Sequence, residues 1–277
     1  MTERKSVEGR GSDLLVFFAQ RNPPTFDARE AAELLAVDTS TLARILSTLA
    51  ARGWITRHRK GIYEIAPLWA TPSQPFDPDR YAALARWVRE PYYVGFRSAL
   101  EIRDWLDHPV RGRIWIAVST PHHAPTTMRD RVTWVVLRED RFSWGRERHW
   151  IGDQAIWISD PERTVLDGLH LPRHVGGVTE VVSVLVRAWS SFDRARLQEH
   201  ADRFAIEAVR RRLGFVLEAV DLPGAPELAE QLHATLSHSR RSPVVLDPSL
   251  PIDGPVDRRW GVRVNLDRAQ IAGAGRT

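Results

Sequence analysis

Three carboxylates, Asp160, Glu162 and Asp167, fall within one short stretch and would, if they converged, hold a divalent cation for nuclease chemistry. Their local setting supplies simpler roles. Asp160 precedes Pro161, the arrangement of a helix cap followed by a proline whose missing N–H costs nothing at the first helical position. Asp167 lies four residues after Arg163, the spacing of an ion pair along one helix face. His122 and His123 have no third ligand at metal spacing, and Pro172 interrupts the helix that would align His170 with His174. Satisfied or solvent-facing histidines are the default for all four. With no cysteine in the chain, disulfides, thiolate nucleophiles and cysteine-ligated zinc are excluded. No phosphate-binding glycine loop, nucleophile elbow or HExxH motif is present. No catalytic residue, metal or cofactor is expected.

A different chemistry suits Ser40, Thr41, Arg44, Ser47, Arg57, Arg59 and Lys60. Arginine and lysine neutralise phosphates, and short hydroxyl side chains with a single arginine on a helix face can approach base edges in a groove. Between Thr39 and Ile65 five basic residues face one acid, Glu64, a surplus of +4 that equals the formal charge of the whole chain. The run Arg210-Arg211-Arg212 is a second basic feature, read either as a contact to nucleic acid or an acidic partner, or as a solvated helix face.

The elements that must position the first set lie between Thr25 and Ala66. Asp27 with Glu30 three residues later forms a capping box, and Ala31, Leu34 and Leu35 give the helix it opens an apolar face. Asp38 or Thr39 caps a second helix, in which Leu42, Ile45, Leu46 and Leu49 form one buried stripe at i, i+3, i+4 and i+7. Ser40, Thr41, Arg44, Ser47, Thr48 and Ala51 take the opposite face. Gly53 ends the helix where a left-handed residue is needed. Trp54–Thr56 and Ile62–Ile65 then flank Arg57-His58-Arg59-Lys60-Gly61, a hairpin with a basic tip. Asp13–Gln20 is an apolar helix, stopped by Pro23-Pro24, that packs on the other two. This is a winged helix-turn-helix pattern, whose expected ligand is double-stranded DNA.

At 277 residues the chain has room for a second, larger domain, and its 43% apolar and 27% charged composition is that of a soluble globular protein. Residues 1–10 are expected to be disordered, 11–66 to form the winged helix, and 67–80, with four prolines, to be a linker. Residues 81–277 are read as an α+β domain of mixed α/β content, sheet first and helices after. Its expected elements begin with a helix at Tyr81–Val88 and an extended stretch from Pro91 leading into an amphipathic helix. Strands follow at Arg113–Ser119, Arg131–Leu137, Phe142–Trp144, His149–Ile151 and Ala155–Ile158. Helices then run from Asp160, after Gly176-Gly177 (where a buried strand is the alternative reading), through Phe192–Val220 and over Pro226–Ser237. Alternation at Trp260, Val262, Val264 and Leu266 predicts a strand that returns to the sheet. Trp115, Trp134, Trp144, Trp150 and Trp157 are expected to fill the core. The polar start MTERKSVEGRGSD has no apolar signal core and no run approaches a membrane span, so a cytoplasmic protein with no membrane partner is expected.

The strings RKGIYEIAP, YYVGFRSALEI, ISDPERTVLDGLHLP with GGVTEV, VRRRLGFVLEAV and LDPSLPIDGPVDRRWGVRVN occur in this order between about residues 12 and 267. The set resembles the AbiEi family, antitoxins of type IV (abortive-infection AbiE) toxin–antitoxin pairs, with their mycobacterial Men relatives. The resemblance implies an autorepressor whose winged helix binds inverted repeats in its own promoter, an arrangement that a dimer on DNA would satisfy. It also implies a C-terminal domain that counters a nucleotidyltransferase-like toxin, directly or indirectly. DNA contact would then fall to Ser40, Thr41, Arg44 and Ser47 of the second helix and to Arg57, Arg59 and Lys60 of the wing. The ISDPERTVLD and RRRLGFVLE strings would be framework. The alternative is a stand-alone transcriptional regulator whose second domain senses a ligand or mediates assembly.

Overall fold

The computed structural model describes residues 9–21, 25–66, 80–81, 84, 88, 91–107, 113–120, 131–151, 154–236, 242–267 and 271. The chain forms two compact units, residues 1–83 and 84–277. Most of the terminus expected to be disordered, nearly all of the proline-rich linker, and His122-His123 lie outside the described residues. Of the helix expected over Tyr81–Val88, Tyr81 and Leu84 are helical and buried.

In the first unit α1 (Arg10–Ala19), α2 (Ala28–Leu35) and α3 (Thr39–Ala51) pack on a three-stranded sheet of β1 (Thr25–Asp27), β2 (Ile55–Arg59) and β3 (Ile62–Ile65), in the order β1-β3-β2. Leu14 and Phe18 of α1, Ala31 of α2, and Leu42, Leu46 and Leu49 of α3 form one core with Phe26 and Ile55. The 3.6-residue spacing of those positions is what makes three short helices bury a common side. The sequence expectation had no β1. Its three residues are too few for periodicity to register, but they pair along β3 (Phe26 with Tyr63) and make β3 an interior strand.

The second unit is α+β, as expected. A mixed five-stranded sheet has the order β6-β5-β4-β8-β7, formed by β4 (Tyr92–Val94), β5 (Ile114–Val118), β6 (Val132–Val136), β7 (Arg146–Ile151) and β8 (Gln154–Ser159). β4 runs antiparallel to β5 and parallel to β8; β5 and β6 are parallel, and β7 and β8 antiparallel. Two helices interrupt the strands, α4 (Phe96–Ile102) and α5 (Glu139–Phe142). A helical layer follows, of α6 (Pro161–His170), α7 (Val178–Ala188), α8 (Arg194–Phe204), α9 (Glu207–Ala219) and α10 (Ala225–Ala234). One face of the sheet, through Tyr93, Ala117 and Val135, joins the core that these helices supply.

Four expectations are corrected here. Phe142–Trp144 is not a strand: Phe142 ends α5, and the Trp144 indole N–H donates to the Asp140 carbonyl at 2.9 Å, which closes a turn instead. The strand expected from Trp260 to Leu266 shrinks to β11 (Val262–Arg263) and does not return to the main sheet. It pairs with β9 (Val244–Val245) and β10 (Val256–Asp257) in a separate small sheet. Trp260 is instead a buried anchor whose indole N–H donates to Glu218 on α9 at 2.7 Å. Of the five tryptophans expected in the core, Trp144 is buried and Trp115 packs partly against the helices, whereas Trp150 is 63% and Trp157 40% exposed. Finally, Arg211 and Arg212 are buried: Arg212 donates to the carbonyls of Val245 and Leu169, Arg211 pairs with Glu207, and Arg210 pairs with Asp202. That basic run is structural cement between α9 and its neighbours, not an open cationic face.

Candidate nucleic-acid interface

The geometry of the helix-turn-helix is fixed by three acids. Asp27 accepts the Glu30 backbone N–H at 2.8 Å while Glu30 accepts the Asp27 N–H at 3.1 Å, a reciprocal cap that starts α2. Arg21 reaches the same Glu30 carboxylate at 3.1 Å and ties the end of α1 to it. Ala36, left-handed at φ 48°, ends α2, and the α2–α3 pair bends by 109°. Asp38 then caps α3. It accepts the Ser40 and Thr41 N–H groups, both at 2.9 Å, and the Ser40 and Thr41 hydroxyls at 2.6 and 2.8 Å. The Ser40 hydroxyl, then the two Thr41 donors, hold the Asp38 carboxyl well below the usual carboxylate range.

This has a chemical consequence for the sequence-derived contacts. A free helix N-terminus attracts phosphate, but the Asp38 carboxylate already occupies that of α3. The Ser40 and Thr41 hydroxyls spend their protons on it and present only oxygen lone pairs outward. Farther along, Arg44 and Ser47 are exposed on the side of α3 opposite Leu42, Leu46 and Leu49. Thr48 bonds back to the Arg44 carbonyl at 2.9 Å. Ser40, Arg44 and Ser47 therefore share one stripe, with Arg44 its only cation. Gly53, at φ 68°, turns the chain into the wing.

In the wing the β2–β3 register shifts between Arg57 and Arg59, so the backbone bulges one residue before the Lys60-Gly61 tip. Gly61 adopts φ 82°, which side-chain-bearing residues disfavour. Arg57 and Lys60 are exposed, and Arg59 occupies the last position of β2. The Arg57 guanidinium lies 6.0 Å from the Tyr63 ring centre. Glu64, the single acid of this stretch, is buried, so what the wing exposes is positive. The tip is braced from behind: the Ala28 N–H, at the start of α2, donates to the Gly61 carbonyl at 2.7 Å. Phe18, Phe26 and Tyr63 stack in a column at 4.5 and 5.7 Å, with Arg21 over one end and Arg57 over the other.

The carboxylates of the second unit do not converge. Asp160 caps α6 through the Arg163 N–H at 2.7 Å and meets His200 Nε2 at 2.8 Å. Glu162 accepts the Asp193 N–H at 2.7 Å, and burial raises its pKa. Asp167 is fully buried between Arg163, whose Nε donates to it at 2.8 Å, and the Tyr93 hydroxyl, also at 2.8 Å. The i,i+4 pair was legible in the sequence; its depth and its third member, 74 residues distant, were not. Burial opposes the Arg163 charge, but Asp167 and Tyr93 outweigh it and hold the guanidinium charged. His170 and His174 are pushed down to about 4 by burial, with neighbouring arginines adding to the effect. No group of three or more His, Asp or Glu residues suited to a metal ion occurs among the described residues.

Residues 13–66, which contain all the positions above in α1–α3 and the wing, match the family model described as a transcriptional regulator, AbiEi antitoxin. The expected kinship with AbiEi antitoxins is thus met over the winged helix. In fold the chain is similar to the RV2827C protein from Mycobacterium tuberculosis, with a TM-score of 0.68 at 16% identity, over 94% of this chain and 92% of that one. At that identity the likeness is one of fold alone. No curated protein matches the chain.

Proposed function

We propose, from the AbiEi regulator domain that residues 13–66 carry, that this protein is a DNA-binding antitoxin that represses its own operon. The observation that carries the DNA role is the pairing of an exposed α3 stripe with a braced wing that exposes Arg57 and Lys60. Arg44 enters the major groove and reads a base edge, with Ser40, Thr41 and Ser47 beside it as hydroxyl contacts. Arg57, Arg59 and Lys60 hold phosphates, which set affinity without choosing sequence. Because the operator is an inverted repeat in this reading, two copies bind, one per half-site. The second unit opposes a nucleotidyltransferase-like toxin in the cytoplasm, and no catalytic step is assigned to it.

The test has two arms. A promoter fragment from upstream of the gene is footprinted with the full chain, and protection of paired half-sites is expected. The neighbouring gene is induced alone and together with the full chain, and growth rescue is expected. Failure of the footprint removes the repressor; a harmless or unrescued neighbour removes the antitoxin and leaves a stand-alone regulator.

A further inference from the structure

The exposed tryptophans of the second unit are not scattered. Antiparallel pairing of Arg148 with Trp157, Arg146 with Ser159 and Trp150 with Ala155 places Arg146, Arg148, Trp150 and Trp157 on one face of the β7–β8 hairpin. The Arg146 guanidinium lies 5.3 Å from the Trp157 ring centre and the Arg148 guanidinium 5.4 Å, while Arg146 also lies 5.1 Å from Phe142. Trp150 is the diagonal neighbour of Trp157 across the strand pair, within reach of a long aromatic side chain. The face is continuous with the buried one: Val94 is in register with Ile158, so by alternation Tyr93 and Trp157 point the same way. Tyr93 is covered by the helical layer; Trp157 and Trp150 lie where that cover runs out.

Among the described residues of this hairpin face, charge has one sign. Neither Arg146 nor Arg148 forms an ion pair among the described residues. Glu147 points to the other face and pairs with Arg103 at 2.7 Å, and Asp140, on α5, pairs with Arg138 at 3.2 Å. β7 is an edge strand, and arginines alone would guard such an edge against pairing. Two solvent-exposed indoles beside them do the opposite, since they add apolar surface to the edge. Alternating cations and flat aromatic faces on an open sheet surface suit a ligand with regularly spaced negative charge and unpaired π-faces.

The geometry points to a nucleic-acid single strand as the occupant of this ladder, with bases stacking on Trp150 and Trp157 and phosphates meeting Arg146 and Arg148. A duplex fits less well, because its bases are already stacked on each other. The site is independent of the winged helix, and its test separates the two.

The full chain is titrated against a labelled single-stranded RNA of about 12 nucleotides, a length within the usual site size, with anisotropy read at several salt concentrations. Trp157→Ala and Trp150→Ala are each expected to weaken binding about fivefold or more, the loss of one stacked base, and Trp157→Phe to keep most of it. Arg148→Ala is expected to reduce the salt slope by about 0.7. None of these changes should alter binding to the promoter duplex. Trp150 is so exposed that its replacement leaves folding intact, so its result stands even if Trp157→Ala misfolds. The proposal is overturned if the full chain does not bind the strand, or if neither tryptophan variant weakens it. It is equally overturned if binding follows Arg57 and Lys60 instead, or if the variants lose only a protein partner.

Discussion

Gly214, in the middle of α9, lies directly against the indole of Trp260, so close that a Cβ at this position would fall inside the ring's van der Waals envelope. Trp260 is 46 residues downstream and buried, and it pins the C-terminal segment to α9. An interior glycine costs a helix about 1 kcal/mol relative to alanine, so propensity alone favours Gly214→Ala. Packing reverses the sign. Gly214→Ala should lower stability by about 1–3 kcal/mol through overpacking, and pairing it with Trp260→Leu should recover part of the loss. Thermal unfolding of the single and double variants checks this; a rise in Tm for Gly214→Ala alone would refute it.

The Arg163–Asp167 pair is fully buried, so it is expensive to break from one side. Asp167→Ala should destabilise the second unit by about 3–5 kcal/mol, since it leaves a buried guanidinium without its acid. Replacing both partners, as Arg163→Met with Asp167→Leu, should cost much less. Tyr93→Phe, which removes one donor to Asp167, should cost about 1–3 kcal/mol. Urea unfolding followed by near-UV circular dichroism ranks the three, and an equal cost for the single and double replacements would contradict the assignment.

His170 and His174 make acid stability directional. Their folded pKa values, about 4, lie below the ordinary value of 6.5, so between those limits the unfolded chain binds protons that the folded chain does not. The stabilisation they provide is complete above about pH 6.5 and is lost as pH falls toward 4. Tm should therefore drop over that window, and His170→Gln, His174→Gln or both should flatten the drop. An unchanged pH profile in the double variant would show that neither histidine carries it.

On DNA, the stripe and the wing should separate in their response. Arg44→Ala should cost about 1–3 kcal/mol at the specific operator and relax the base preference at one position. Lys60→Ala should weaken all duplexes alike and reduce the salt slope by about 1. Titrations of operator and random duplexes across salt discriminate them; identical behaviour of the two variants would break the division of labour.

What was legible in the sequence was local. The Asp27–Glu30 box, the Asp38 and Asp160 caps, Gly53 and the leucine stripe of α3 each depend on neighbours within a turn or two, so residue type and spacing suffice. What was hidden depends on distant chain. Arg212 reads as a surface cation until the Leu169 and Val245 carbonyls arrive, 43 and 33 residues away, to receive it. Trp157 alternates like a core residue, and only the lateral extent of the helical layer decides that it is left open. At the interface itself, the positions of Arg44 and Lys60 follow from periodicity and turn chemistry. The diversion of the Ser40 and Thr41 protons to Asp38 needed atomic geometry.

The stacked column from Arg21 through Phe18, Phe26 and Tyr63 to Arg57, with the Ala28–Gly61 hydrogen bond behind the tip, has a calorimetric consequence. A wing that ordered only on contact would add the signature of folding to that of association, a heat-capacity decrease far larger than the docked surface accounts for. Here β1 already holds β3 on its outer side, and the hairpin is shaped before any duplex arrives. Binding by this module is accordingly the meeting of two rigid bodies, and its heat-capacity change should scale with the area they bury and nothing more.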